Sequence, residues 1–262
     1  MIGARNHRGR TIVATQVRKK SGNNGFIIAL VAIVAAGGGF IWWKTQQKPP
    51  EVALVLPDVA DSTMSAKAHG YTIGSPDAKV EIMEFADFEC PACGNYFMIT
   101  EPDVRKNLVA TGIVRYTFYD FPLVNAHKNT IPAAMSAACA DDQGKFWEMH
   151  DALFNGQLEW NGQATDNPRG VHRTYAQKLG LDMTKWNACM DGSAHADRIK
   201  ANYALGMVKQ VISTPTFFVN GVMQPAGAAN YDQLKAAVDA ALAPSIPIPT
   251  SVPDAPAPKR KK

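Results

Sequence analysis

The sequence predicts an α/β domain whose mixed sheet is interrupted by an all-helical insertion, with one transmembrane helix ahead of it. Three observations predict this. An uncharged apolar run lies near the N-terminus, strand signals fall in two well-separated stretches, and the segment between those stretches carries only helical periodicity.

The chain has 262 residues and a formal charge of +4, but its basic residues are unevenly placed. Arg5, Arg8, Arg10, Arg18, Lys19 and Lys20 precede the apolar run, and Lys259, Arg260, Lys261 and Lys262 end the chain; the remainder is acidic. No basic helix or aromatic platform accompanies these charges, so no nucleic-acid partner is expected. From Phe26 to Trp43 the chain reads FIIALVAIVAAGGGFIWW. As a helix this run spans roughly 27 Å, close to the hydrocarbon thickness of a bilayer. Residues 1–25 therefore read as a cytoplasmic basic N-terminus and 26–43 as a single-pass anchor, with the bulk of the chain periplasmic or extracytoplasmic. A cleaved signal peptide ending near Ala35-Ala36-Gly37 is the alternative, but the apolar stretch continues through Phe40 to Trp43 and favours an uncleaved span. Residues 44–68 are polar and Pro-containing and read as a linker, and 244–262 as a disordered Pro-rich tail.

The folded part reads in three blocks. In 69–121, Val80 to Phe85 is a short buried strand, Pro91 to Ala110 is helical with Gly112 as its stop, and Ile113 to Phe121 is a β-branched and aromatic second strand. Strand, crossover helix and strand make a βαβ unit with a parallel pair. Block 122–205 is the insertion, with helical windows at Thr130 to Ala140, Lys145 to Phe154, Arg173 to Leu179 and Met183 to Met190, and from Ala194 to Gln210 across its end. In 206–243, Thr216 to Asn220 and Val222 to Gln224 flank Gly221 as a hairpin, followed by a helix from about Asn230 to Leu242.

Four cysteines on the oxidising side of a membrane point to disulfide chemistry. Cys90 and Cys93 form a Cys-x-x-Cys pair directly after a strand and at the start of a helix. The unsatisfied N–H groups and positive end of that helix stabilise a thiolate at Cys90, while Pro91 fits the first turn, where its missing N–H costs nothing. Cys93 lies one turn on, within reach of a mixed disulfide at Cys90. The competing reading is half of a zinc site, but Cys139 and Cys189 stand alone and no histidine forms a second paired motif with them. A bridge between Cys139 and Cys189 would close a loop of about fifty residues and contribute roughly 4 kcal/mol; a structural disulfide is expected, against two buried free thiols.

Gly74-Ser75-Pro76, the run from Val80 to Cys93 (VEIMEFADFECPAC), Gln143 to Trp147 (QGKFW) and Thr214 to Gly221 (TPTFFVNG) together resemble the DsbA-like thiol–disulfide oxidoreductases over about residues 70 to 242. The resemblance implies a thioredoxin-like fold with a helical insertion. It further implies that Pro215 is a cis-proline beside the reactive pair, that Thr214 offers its backbone to an incoming peptide, and that Glu84 is a buried acid relaying protons to Cys93. On residue type alone, Pro215 would be an ordinary trans-proline and Glu84 a solvent-facing strand residue. The chain departs from the family between its cysteines, where Pro-Ala replaces the frequent Pro-His and removes one source of thiolate stabilisation.

The expected function is therefore exchange of the Cys90–Cys93 disulfide with exported proteins, chiefly as a disulfide donor, with a redox partner, expected to be membrane-bound, restoring its state. No organic cofactor and no metal is required. A reductase or isomerase of the same fold is the first alternative, and a non-catalytic docking or assembly subunit the second. His127, His150, Trp147, Trp160 and Trp186 read as packing residues. The loop from Asn155 to Gly170 is placed beside a substrate groove by its polar, Gly-containing composition.

Overall fold

The computed structural model describes residues 24–46, 54–225 and 230–243, in two units, Met1–Pro49 and Pro50–Lys262. The basic N-terminal residues before 24 and the Pro-rich tail lie outside the described residues. In the first unit, α1 (Asn24–Gln46) carries the apolar run. Its described side chains extend from residue 26 to 40 and cover only part of that run. Among the described residues no helix is long and apolar enough to cross a membrane.

The second unit is built on a five-stranded mixed sheet. Its strands are β1 (Tyr71–Ile73), β2 (Val80–Ala86), β3 (Val114–Asp120), β4 (Thr216–Val219) and β5 (Val222–Met223), in the spatial order β1-β3-β2-β4-β5. β2 and β3 pair in parallel, as a βαβ crossover requires, and the other pairs are antiparallel. β1 falls in a stretch with no strand signal in the sequence; with three residues it is too short to show period-two patterning. The central β2 is paired on both sides and buried along nearly its whole length, which explains why apolar side chains point to both of its faces. Val80 and Ile82 pack with Tyr96, Tyr116, Leu234 and Val238 on one face, and Met83 and Phe85 with Phe121, Val211 and Phe218 on the other.

The crossover predicted as one helix is broken. Its pieces are α3 (Pro91–Ile99), α4 (Glu101–Val104) and a π-helical turn (Arg105–Val109). Pro102 has no N–H to donate, which interrupts the ladder at that point. Gly112, at φ +76°, ends the segment in a conformation that costs other residues more.

The insertion contains α5 (Thr130–Asp141), α6 (Phe146–Asn155), α7 (Gln157–Trp160), α8 (Pro168–Lys178), α9 (Met183–Gly192) and α10 (Ala196–Val208). α5 is its centre: Ala133, Ala134, Ala137, Ala138 and Ala140 are buried and let α6, α8 and α9 approach closely. α10 runs across the boundary expected at 205/206 and packs against β3, so insertion and second half meet within one helix. α11 (Tyr231–Leu242) covers the sheet face of β2 and β4.

The linker reading of 44–68 is corrected for its described C-terminal part. Leu54 and Leu56 pack on the core, and α2 (Ser62–Ser65), capped by Asp61 Oδ1 accepting from the N–H groups of Thr63 and Met64, lies against α10. Polar composition hid two partly buried leucines and a four-residue helix too short to show periodicity.

Candidate active site

β2 ends at Ala86, and the next three residues form a short loop that delivers Cys90 to the N-cap of α3, with Pro91 in the first helical turn. The Cys90 carbonyl accepts the first intrahelical bond, from Gly94 N–H at 3.0 Å. Both cysteines are free thiols; Cys90 is 7% exposed and Cys93 is fully buried. The peptide bond between Thr214 and Pro215 is cis, and the Cys90 thiol donates to the Thr214 carbonyl at 3.5 Å.

The two thiols have opposite acidities. A hydrogen bond from Cys93 lowers the pKa of Cys90 to about 5, against the opposing effect of burial, and the Thr214 hydroxyl and the N–H groups of Ala92 and Cys93 assist. That Thr214 hydroxyl is buried and has no hydrogen-bond partner among the described residues, so it is free to donate to a Cys90 thiolate. Burial pushes the Cys93 thiol well above the ordinary thiol range, and the charges of Cys90 and Glu84 push it further.

Glu84 is buried on β2, in register with Phe118 of β3 and Phe217 of β4. Tyr116 donates its hydroxyl hydrogen to Glu84 Oε2 at 2.5 Å, and the Tyr96 hydroxyl lies 3.3 Å from that of Tyr116. Burial raises the Glu84 pKa well above the usual carboxylate range, the Glu101 charge adds to the effect, and the Tyr116 hydrogen bond opposes it. The solvent-facing reading of Glu84 is thus excluded.

The insertion holds the loop between β2 and α3 through residues to which the sequence assigned no role. Gln157 Nε2 donates to the carbonyls of Phe88 at 2.7 Å and Cys90 at 3.0 Å. Gly94 lies directly under it; a Cβ there would come within 2.8 Å of Gln157 Oε1. Glu89 accepts from Asn129 N–H at 2.6 Å and Gly162 N–H at 2.5 Å. Buried Asp87 accepts from Glu89 N–H, Thr130 Oγ1, Leu123 N–H and His127 Nδ1. The signal that could have found them was the pair of acids, Asp87 and Glu89, between a buried strand and the Cys-x-x-Cys. Neither has an apolar reason to be there, and each needs donors when buried.

An open pocket of about 530 Å³ adjoins Pro91 and is bordered by Glu89, His127, Gln157, Leu158 and Gly162. The loop expected beside a groove supplies the last three. Cys139 and Cys189 are joined as a disulfide that ties α5 to α9, with their Cα atoms 5.8 Å apart. Among the described residues two clusters have metal-ligand geometry, Asp142–Cys189–His195 and Glu101–His150–Asp151. The Cys189 sulfur is committed to the disulfide, and Arg105 already bridges Glu101 and Asp151, so neither is a convincing metal centre.

Comparison with known proteins agrees with this arrangement. A family model described as Thioredoxin matches residues 66–240. An Na(+)/H(+) antiporter NhaA 3 of Salinispora tropica is 39% identical over 170 residues, covering 65% of this chain and 24% of the antiporter. The chain thus spans about a quarter of the length of that relative. A probable disulfide bond formation protein D of Bacillus anthracis is 23% identical over 176 residues, covering 67% of this chain and 80% of that protein. Among solved structures, oxidised BdbD of Bacillus subtilis has a TM-score of 0.56 at 22% identity, covering 65% of this chain and 91% of its own. Wolbachia pipientis alpha-DsbA1 has a TM-score of 0.57 at 22% identity, covering 74% and 95%. With a cis-proline loop set against a Cys-x-x-Cys at a helix start and a family match over most of its length, this chain belongs to the thioredoxin family.

Proposed function

We propose that the chain is a thiol–disulfide oxidoreductase that donates its Cys90–Cys93 disulfide to cysteine-containing exported proteins. The observation that carries this reading is the placement of the two thiols, with Cys90 at the N-cap of α3 and 3.5 Å from the Thr214 carbonyl and Cys93 fully buried one turn on, which lowers the pKa of Cys90 to about 5 and raises that of Cys93. A low pKa at the attacked cysteine stabilises the reduced form, which makes the disulfide more oxidising.

A client thiolate attacks Cys90 Sγ, forming a client–Cys90 disulfide and breaking the Cys90–Cys93 bond. Cys93 leaves as a thiolate in a fully buried position, where charge is costly, and takes the proton held by Glu84. A second client thiolate attacks the client sulfur and expels Cys90, which leaves readily as a thiolate because its pKa is low. Two electrons pass from the client to the Cys90–Cys93 pair, and a membrane redox partner then reoxidises the pair. In this reading the Thr214 backbone, beside Cys90, pairs with the client chain.

Anchoring through residues 26–43 is part of the same reading. The basic flank and apolar composition support it, as do the exposed side chains of Phe26, Ile28, Ile33 and Val34 on α1. The second reading, a reductase or isomerase, draws on Ala92, which puts no cation between the cysteines. Equilibration of the full chain with glutathione tests the choice. A reduction potential near −120 mV establishes a donor, and one near −270 mV a reductase.

A further inference from the structure

His127 lies outside the Cys-x-x-Cys and outside every motif assigned a role above, yet it is tied to the reactive loop. The turn that carries it is pinned to Asp87: Leu123 N–H donates to Asp87 Oδ2 at 2.8 Å and His127 Nδ1 donates to the same oxygen at 2.7 Å. Asp87 is fully buried, and its own backbone carbonyl accepts from Cys90 N–H at 3.0 Å. A buried carboxylate therefore sits in the loop that must carry a thiolate at Cys90. Alone, its negative charge would oppose a second one nearby. The His127 ring lines the pocket beside Pro91, the residue next to Cys90.

We propose that His127 is a positioning residue for the reactive thiolate: its imidazolium, paired with buried Asp87, offsets that carboxylate and holds Cys90 ionised. The proposal rests on the oxidoreductase reading, because it assigns His127 an effect on the nucleophile of that reaction. The charged groups that face His127 are Asp87, Glu89 and Cys90 from the reactive loop. On its own turn the neighbouring Lys128 is engaged by Asp166 at 2.6 Å. The hydrogen bond to Asp87 raises the His127 pKa, and the charges of Asp87, Cys90 and Glu89 raise it further, so imidazolium and thiolate stabilise each other. Ala92 contributes no charge, and the cation is supplied from the insertion.

Thermodynamic linkage makes this testable in the unmodified protein. If His127 stabilises the Cys90 thiolate, the thiolate stabilises the His127 imidazolium by the same amount. NMR titration of the His127 ring should give a higher pKa in the reduced protein than in the disulfide form, and equal values in the two states would overturn the proposal. The variant His127→Gln retains a donor for Asp87 and loses the charge. Thiolate absorbance should then show the Cys90 pKa raised by about one pH unit, with the glutathione equilibrium shifted by about tenfold toward a less oxidising disulfide. An unchanged Cys90 pKa in a folded variant would also overturn it, and if the variant does not fold, the titration of the unmodified protein decides. Complete failure of the wild-type pair to exchange with glutathione would instead remove the oxidoreductase reading itself.

Discussion

Cys90 Sγ and the Thr214 carbonyl oxygen stand 3.5 Å apart although 124 residues separate them in the chain. The contact closes the two halves of the interrupted fold on each other, since Cys90 opens α3 in the first half and Thr214 precedes β4 in the second. It also places the unpartnered Thr214 hydroxyl where a Cys90 thiolate needs a donor.

From this, Thr214→Val should raise the Cys90 pKa while leaving the fold intact, because valine has the same shape without the hydroxyl. In the unmodified protein, alkylation of Cys90 by iodoacetamide should be half-maximal near pH 5, where the thiolate forms. In the variant that midpoint should move upward, by up to about one pH unit for a donor of this kind. An unmoved midpoint would mean that the helix start and Cys93 alone set the acidity.

The same depressed pKa predicts how stability depends on pH. A thiol whose folded pKa of about 5 lies below the unfolded value of roughly 8.5 contributes stability that is complete above the unfolded pKa and is lost as pH falls through the folded one. Urea midpoints of the reduced protein should therefore rise across that window. Cys90→Ala should flatten this part of the profile, and an equally steep profile in Cys90→Ala would assign the slope to other groups.

Cys93→Ala should trap clients as mixed disulfides at Cys90, since the buried thiol that would expel them is gone. The measurement is recovery of adducts that dithiothreitol releases, absent in Cys90→Ala. A single stoichiometric partner in place of varied adducts would favour the docking-subunit reading.

The sheet halves, the helical insertion and the reactive pair were legible in the sequence because each leaves a local trace. Val80 to Phe85 is a short, largely apolar run, the insertion has helical periodicity, and Cys90 and Cys93 lie three positions apart in a Cys-x-x-Cys motif. What could not be read is what depends on contacts across the chain. The break at Pro102 looked like continued helix, because proline near a helix start and proline in a helix interior differ only in where the helix begins. Gln157 and His127 matter through bonds to Phe88, Cys90 and Asp87, 69, 67 and 40 residues away, and a lone glutamine or histidine carries no sign of such a partner. The buried acids Asp87 and Glu89 did carry one, since an acid beside a buried strand has to be satisfied.

The Cys139–Cys189 disulfide spans a sequence separation of 50 and joins two helices of the insertion. Replacing both cysteines by alanine should cost about 4 kcal/mol through loop-closure entropy, read as a lowered urea midpoint with a steeper slope, because the unfolded chain without the cross-link is less compact. The reduction potential of the Cys90–Cys93 pair should stay where it is. A shift in that potential would mean that the insertion transmits its stability to the reactive loop through Gln157 and Asp87 more strongly than static hydrogen bonds suggest.

Glu84 gives the most discriminating test, because its chemical and structural roles point in opposite directions. Burial lifts its pKa well above the ordinary carboxylate range, so the folded protein holds a proton there that the unfolded chain releases above about pH 4.3. Between those two values the native state binds more protons, and stability falls as pH rises. Glu84→Gln keeps an oxygen to accept from Tyr116 but has no proton to lose. It should therefore be more stable than the unmodified protein at neutral pH, with an advantage that shrinks toward pH 4. In the proposed reaction the same change removes the proton that neutralises Cys93 as it leaves, and disulfide transfer to a dithiol peptide should slow by about 10²-fold. The wild-type rate should also fall with rising pH as Glu84 ionises, whereas the variant rate should not show that limb. A variant that is more stable and slower separates Glu84 from a purely structural residue, while a variant that is more stable and equally fast would leave Cys93 drawing its proton from water.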